Sequence, residues 1–183
     1  MDDVLLWPSP IMKPIAFFFA LLLATGHVYA QTWCALDETP LMNGNVGVVK
    51  DGQFTARGVL SLCAKPAKVP YRELTYRYGS KKLDLSYSAP TDGQFHLESQ
   101  PIMPRASVDA LYFRQGEITY AITDCNGMHC GTRGLELMVF RGKKTIAVLL
   151  PEPEKFERNL DFLDDIKGPV VHTAKSGLNF DER

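Results

Sequence analysis

The densest run of chemically capable side chains is Cys125-Asn126-Gly127-Met128-His129-Cys130, two thiols and an imidazole around a glycine turn. Such a set can shuttle electrons, hold a metal or close a loop. Thioredoxin-type exchange uses two residues between its cysteines, and four intervene here. Structural zinc requires four ligands, and the run supplies three with two of them adjacent. The chemistry that remains is a disulfide, and no metal and no cofactor are expected. Outside this run and upstream residues 1–30, the histidines are His96 and His172. Neither lies in a His-Glu-x-x-His helix, and no Gly-x-Ser-x-Gly elbow or phosphate-binding glycine loop occurs. An enzyme would have to be built around His129 without a recognisable partner, so a binding protein is expected.

The oxidation state follows from the start of the chain. Lys13 precedes an apolar run over residues 15–24, and Val28-Tyr29-Ala30 supplies a small-residue cleavage site, the pattern of a secretory signal peptide. The apolar core is far below the ~20 residues that cross a bilayer. Residues 1–30 are therefore read as leader and signal, with translation expected to start at Met12, and residues 31–183 as one mature domain that is periplasmic and has no membrane contact after cleavage. All four cysteines, Cys34, Cys63, Cys125 and Cys130, lie in that domain. Export favours their oxidation. Three pairings are possible; Cys34 with Cys63 and Cys125 with Cys130 join neighbours in sequence and are the expected bridges. With 20 basic and 21 acidic residues and no basic stripe, the chain is a poor match to a nucleic-acid partner.

The elements that must hold these residues are strands. Leu74, Tyr76 and Tyr78 alternate with polar residues, as do Leu83, Leu85 and Tyr87, and Gly79-Ser80-Lys81 lies between them. Phe95 and Leu97 continue the period. Val108, Ala110 and Tyr112 face Ile118, Tyr120 and Ile122 across Gln115-Gly116, and Leu135, Leu137 and Val139 face Ile146, Val148 and Leu150 across Arg141-Gly142-Lys143. Near the N-terminus, residues 46–49 and 59–62 flank Asp51-Gly52 and suit another pair. Pro153, then Phe156, Leu160, Leu163 and Ile166 at helical spacing, and Gly168-Pro169 predict one short C-terminal helix. The fold expected is all-β, antiparallel sheets arranged as a sandwich or barrel, with that single helix.

Two loops on this scaffold suit recognition. Asn126, Met128 and His129 would be displayed on a loop closed by Cys125 and Cys130, and closure lowers the entropy lost on binding; an ordinary stapled turn is the alternative. Ile102 and Met103 stand between Pro101 and Pro104, with Ser107 just beyond, in a loop stiffened by both prolines. They equally suit a role in covering the sheet edge.

The signal starting at Met12, the mature size, the β character and Cys34, Cys63, Cys125 and Cys130 together resemble the small periplasmic immunity proteins of bacterial type VI secretion, those that protect against a peptidoglycan-cleaving amidase effector. That resemblance implies a partner, a peptidoglycan hydrolase whose Cys-His cleft is occluded by a loop, with a serine near the catalytic pair; Ser107 is the serine in the candidate loops. A lysozyme inhibitor is the alternative within binding proteins. One such family carries Ser-Gly-x-x-Tyr, against Ser176-Gly177-Leu178-Asn179-Phe180 here, which lacks the tyrosine. A periplasmic enzyme centred on His129 is the alternative outside them.

Overall fold

A computed structural model describes residues 31–103, 105–127, 134–158 and 170–173. The leader and signal of residues 1–30 lie outside these, as do Met128, His129 and Cys130.

Alternating sequence becomes strand almost throughout. The strands are β1 (Thr39–Lys50), β2 (Gln53–Lys65), β3 (Glu73–Gly79), β4 (Leu83–Ala89), β5 (Phe95–Met103), β6 (Ala106–Gln115), β7 (Ile118–Gly127), β8 (Leu135–Arg141), β9 (Lys144–Pro151), β10 (Glu157–Arg158) and β11 (Val171–Thr173). They form one sheet in the order β11-β5-β6-β7-β8-β9-β1-β2-β3-β4, with β10 beside β1. Every pairing is antiparallel except β11 with β5. The expected plural sheets are thus a single open one. Two meanders compose it, β1–β4 and β5–β9, and their joint is short: β9 meets β1 only at Pro151 opposite Val46 and Leu150 opposite Gly47.

The halves fold toward each other because each presents an apolar face. Leu60, Leu62, Leu74, Tyr76 and Tyr87 from the first half and Phe95, Leu111, Phe113, Ile122 and Leu137 from the second share one buried cluster. Aromatic rings close the seam where β4 approaches β5. Tyr87 stacks on Phe113 at 4.0 Å and meets the edge of Phe95 at 5.3 Å, while Phe113 also contacts Tyr76 and Tyr120, each at 5.1 Å. Among the described residues no ladder joins β4 to β5 or β11, so side chains hold this seam where a barrel would use backbone hydrogen bonds.

Beyond this core, each half carries something on its outward face. On β6, Leu111 and Phe113 point into the core, whereas Val108, Ala110 and Tyr112 alternate to the other side and join Ala121, Met138 and Phe140 in a second buried cluster. The first half is covered by residues 31–38. Cys34 bonds Cys63, the Trp33 amide donates to Ser61 Oγ at 3.0 Å, and that hydroxyl donates to Asn43 Oδ1 at 2.7 Å. Glu38 accepts two hydrogen bonds from Arg77, at 2.5 and 2.9 Å.

The expected C-terminal helix is not seen; no helix occurs among the described residues, and so none there is long and apolar enough to cross a membrane. After β9 the chain turns at residues 153–155, Phe156 packs on the core, and Glu157 and Arg158 pair with Asn43 and Met42 of β1. Helical spacing loses here to an available strand edge. The Glu152 amide already donates to Asn45 O at 2.9 Å, so the chain follows β1, and Phe156 fits only because residue 44 is glycine: a Cβ there would lie 2.9 Å from its ring. Leu160, Leu163 and Ile166 lie outside the described residues.

Candidate functional site

The two segments singled out for recognition are twenty or so residues apart in sequence and adjacent in space. β6 is the reason. Its first residues pair on both sides: Ala106 lies opposite Met103 of β5 and Gly127 of β7, and Ser107 opposite Pro101 and Asn126. The β5–β6 connection and the start of the β7–β8 connection therefore leave the same end of the sheet. Ile102 and Met103 are the last residues of β5, Ser107 the second of β6, and Asn126 lies within β7, so the supposed loop of residues 100–107 is mostly strand around a turn at Arg105, whose φ is 70°. Pro101 is tolerated because the β11 ladder, among the described residues, covers 95–97 of β5 and does not extend to it.

One of the two expected bridges is formed among the described residues. Cys34 and Cys63 are bridged, with Cα atoms 5.5 Å apart. Cys125 is also oxidised, and the remaining cysteine of the chain, Cys130, lies outside the described residues.

Near the same end of the sheet, the structure pairs two acids that sequence reading passed over. Asp124 stands directly opposite Asp109 across the β6–β7 ladder. Burial pushes the Asp124 carboxyl above its ordinary range; Arg158, whose Nη1 lies 3.4 Å from Oδ1, pulls it back, and Asp109 raises it again. The signal for this pairing was the Gln115-Gly116 turn, which fixes the register of the whole hairpin. In the adjoining ladders Asp109 stands opposite Ser99 of β5 and Asp124 opposite Leu135 of β8.

A second place of interest lies at the opposite end of β5. Tyr87, Pro90, Gly93, Gln94, His96 and Arg114 line an open cleft of about 430 Å³. His96 stacks on Tyr112, ring centroids 5.2 Å apart, and pairs in register with His172 of β11. Burial first, then the positive charges of Arg114 and His172, hold the His96 imidazole below its ordinary pKa. The period of two had already set His96 on the polar side of its strand; its company depended on the parallel pairing of β11, which no local pattern announces. The Cys34–Glu38–Cys63 grouping offers ligand atoms close together, but both sulfurs are spent in the disulfide.

Comparison with known proteins finds no matching family model, no matching curated protein and no matching solved structure.

Proposed function

We propose that this protein is an exported, non-enzymatic inhibitor of a peptidoglycan hydrolase, an immunity protein that blocks the Cys-His cleft of an amidase effector. The observation that carries the reading is the convergence of the two candidate segments on β6, where Ser107 is flanked by Pro101 and Asn126. The strand ends that bear these segments lie side by side in the sheet, and a segment held by a sheet loses little entropy on entering a cleft. The Cys34–Cys63 bridge is compatible with an oxidising compartment outside the cytoplasm.

Binding of the mature chain to a purified Cys-His peptidoglycan amidase, measured calorimetrically, tests the proposal, with a lysozyme as the parallel arm. Interfaces of this kind concentrate affinity in a few residues, so Met128→Ala with His129→Ala should weaken amidase binding by about 2 kcal/mol or more, some thirtyfold. Ile102→Ala with Met103→Ala, at the neighbouring connection, should weaken it as well. Binding to lysozyme alone replaces the amidase with the other inhibitor class. Absence of binding to both enzymes, together with His129-dependent hydrolysis of peptidoglycan by the chain itself, overturns the inhibitor reading in favour of an enzyme.

A further inference from the structure

The end of the sheet opposite the recognition edge has a surface of its own, independent of the inhibitor reading. Register fixes which turns meet there. β9 pairs with β1 antiparallel at Leu150 and Pro151, so Lys50 at the end of β1 and Lys144 at the start of β9 lie on the same side of that joint. Val59 stands opposite both Asn45 of β1 and Gly79 of β3, which brings the β3–β4 turn to that side as well. From Val59 toward the tip the β2–β3 ladder stops, and the β1–β2 hairpin continues alone to Asp51-Gly52. Across the joint, residues 144–149 of β9 have no ladder on their β1 side among the described residues.

Each of these turns carries cations into solvent. The first hairpin has Lys50 and Arg57, the second Lys81 and Lys82, and the β8–β9 turn Arg141, Lys143 and Lys144, all of them exposed. None forms an ion pair among the described residues. The acids near them are Asp51, Asp84 and Glu117, and Asp84 accepts the Ser80 amide at 3.2 Å. The excess is local, since the whole chain has 20 basic and 21 acidic residues, and it is assembled from turns far apart in sequence. Large apolar side chains are exposed beside the cations: Val49 next to Lys50, Leu83 next to Lys82, and Ile146 and Val148 on β9 are between 40% and 47% exposed.

We propose that this end of the sheet binds the surface of an anionic lipid membrane. Cations near such a surface attract its headgroups, and aliphatic side chains set among them enter the interfacial layer. Charge alone suits any acidic partner. Solvent-exposed valine, leucine and isoleucine beside the lysines favour one with an apolar phase behind its charges, and their spread over separate turns suits a broad surface rather than a single bound chain. Peripheral contact needs no spanning segment, so it is compatible with signal cleavage, and it departs from the expectation that the mature chain has no membrane contact. It leaves the recognition edge, at the far end of β6 and β7, free.

The test is cosedimentation of the mature chain with vesicles of phosphatidylcholine, and of phosphatidylcholine with phosphatidylglycerol, at low and high sodium chloride. The expected result is saturable binding to the anionic vesicles alone, weakened by salt. Lys143→Gln with Lys144→Gln should weaken it about thirtyfold, from about fivefold per cation. Lys68→Gln with Arg72→Gln, exposed at the other end of the sheet, removes the same charge and should leave it unchanged. Ile146→Thr with Val148→Thr keeps net charge and Cβ branching, and should weaken it about fivefold. Urea midpoints near the parent's show that each variant is folded. Absence of binding to anionic vesicles, or an equal loss in the Lys68 and Arg72 variant, overturns the proposal. Binding to soluble polyglutamate as tight as to the vesicles, with no effect of the Ile146 and Val148 variant, overturns it in favour of an acidic protein partner.

Discussion

The outward faces of the two halves are protected by opposite means. On β1–β3 the face is polar, with Asn43, Ser61 and Thr75 buried on it, and residues 31–38 are fastened across it by a disulfide, hydrogen bonds and the Glu38–Arg77 pair. On β6–β8 the face is mainly apolar: Val108, Ala110, Tyr112, Ala121, Met138 and Phe140 are all 7% exposed or less, with Thr123 buried beside them and the oxidised Cys125 packed against them. A polar face requires specific partners at specific distances, whereas an apolar face requires only that water be excluded. The first half's face should therefore answer to loss of a specific partner and the second's to side-chain volume, although both carry an oxidised cysteine, Cys63 on the first and Cys125 against the second.

The sharpest break in this contrast is Phe140→Ala. Phe140 is 3% exposed, and truncation of such a ring costs about 3–5 kcal/mol. The loss is read from urea midpoints without reductant, because the oxidised Cys125 packs against the same cluster. Next comes removal of Cys34 and Cys63 together by serine. A bridge spanning 29 residues restricts the unfolded chain by about 3.5 kcal/mol, so the double variant should lose about that much relative to the parent protein, with Cys125 kept oxidised in both. A smaller loss in Phe140→Ala than in the cysteine double variant would reverse this ranking of the two faces.

The smallest effects come from two acids with opposite shifts. Burial raises the Glu38 carboxyl, but the hydrogen bonds from Arg77 and from the Ala35 amide and the Arg77 charge outweigh it, leaving a net depression below the ordinary 4.5. Its stabilising contribution is present above that value and is lost as pH falls through the depressed pKa. Asp124 is raised above 3.8, so its effect runs the other way: the folded state holds the proton longer, and stability declines as pH rises through the raised value. Stability measured between pH 3 and 7 should consequently lose its acid-side fall in Glu38→Gln and its opposing slope in Asp124→Asn. Matching profiles in the two variants would show that the two halves titrate alike.

Most of the strands are legible because alternation and turn dipeptides are local. Leu74 to Tyr87 gives β3 and β4, and Gln115-Gly116 and Arg141-Gly142 mark the turns that register β6 to β9. The Cys34–Cys63 bridge is legible from the cysteine count and from the place of both cysteines in the N-terminal part. What escaped depends on long-range competition. Phe156 obeys helical spacing, yet the unpaired backbone of β1 beside Gly44 captures it into an extended segment. Joining the halves into one sheet rests on two residue pairs of β9 and β1, too few to leave a pattern. Of the candidate site, Ser107 and Asn126 are individually readable as polar residues near turns, but their adjacency requires the registers of two hairpins at once. The cleft is harder still, since it lies where β4 and β5 approach without pairing.

That two-residue joint also bears on how the chain reaches its native state. Within each meander every strand pairs with its sequence neighbour, so both can zip from their turns at little loop-closure cost, while β9 against β1 closes a loop of about a hundred residues for a meagre ladder. The order of events that follows is hairpins first, each half next, and the meeting of the halves last, driven by the rings of Tyr76, Tyr87, Phe95 and Phe113 rather than by backbone pairing. Mutations in that aromatic cluster should then slow the final step of folding, and changes at the outer turns should mainly hasten unfolding.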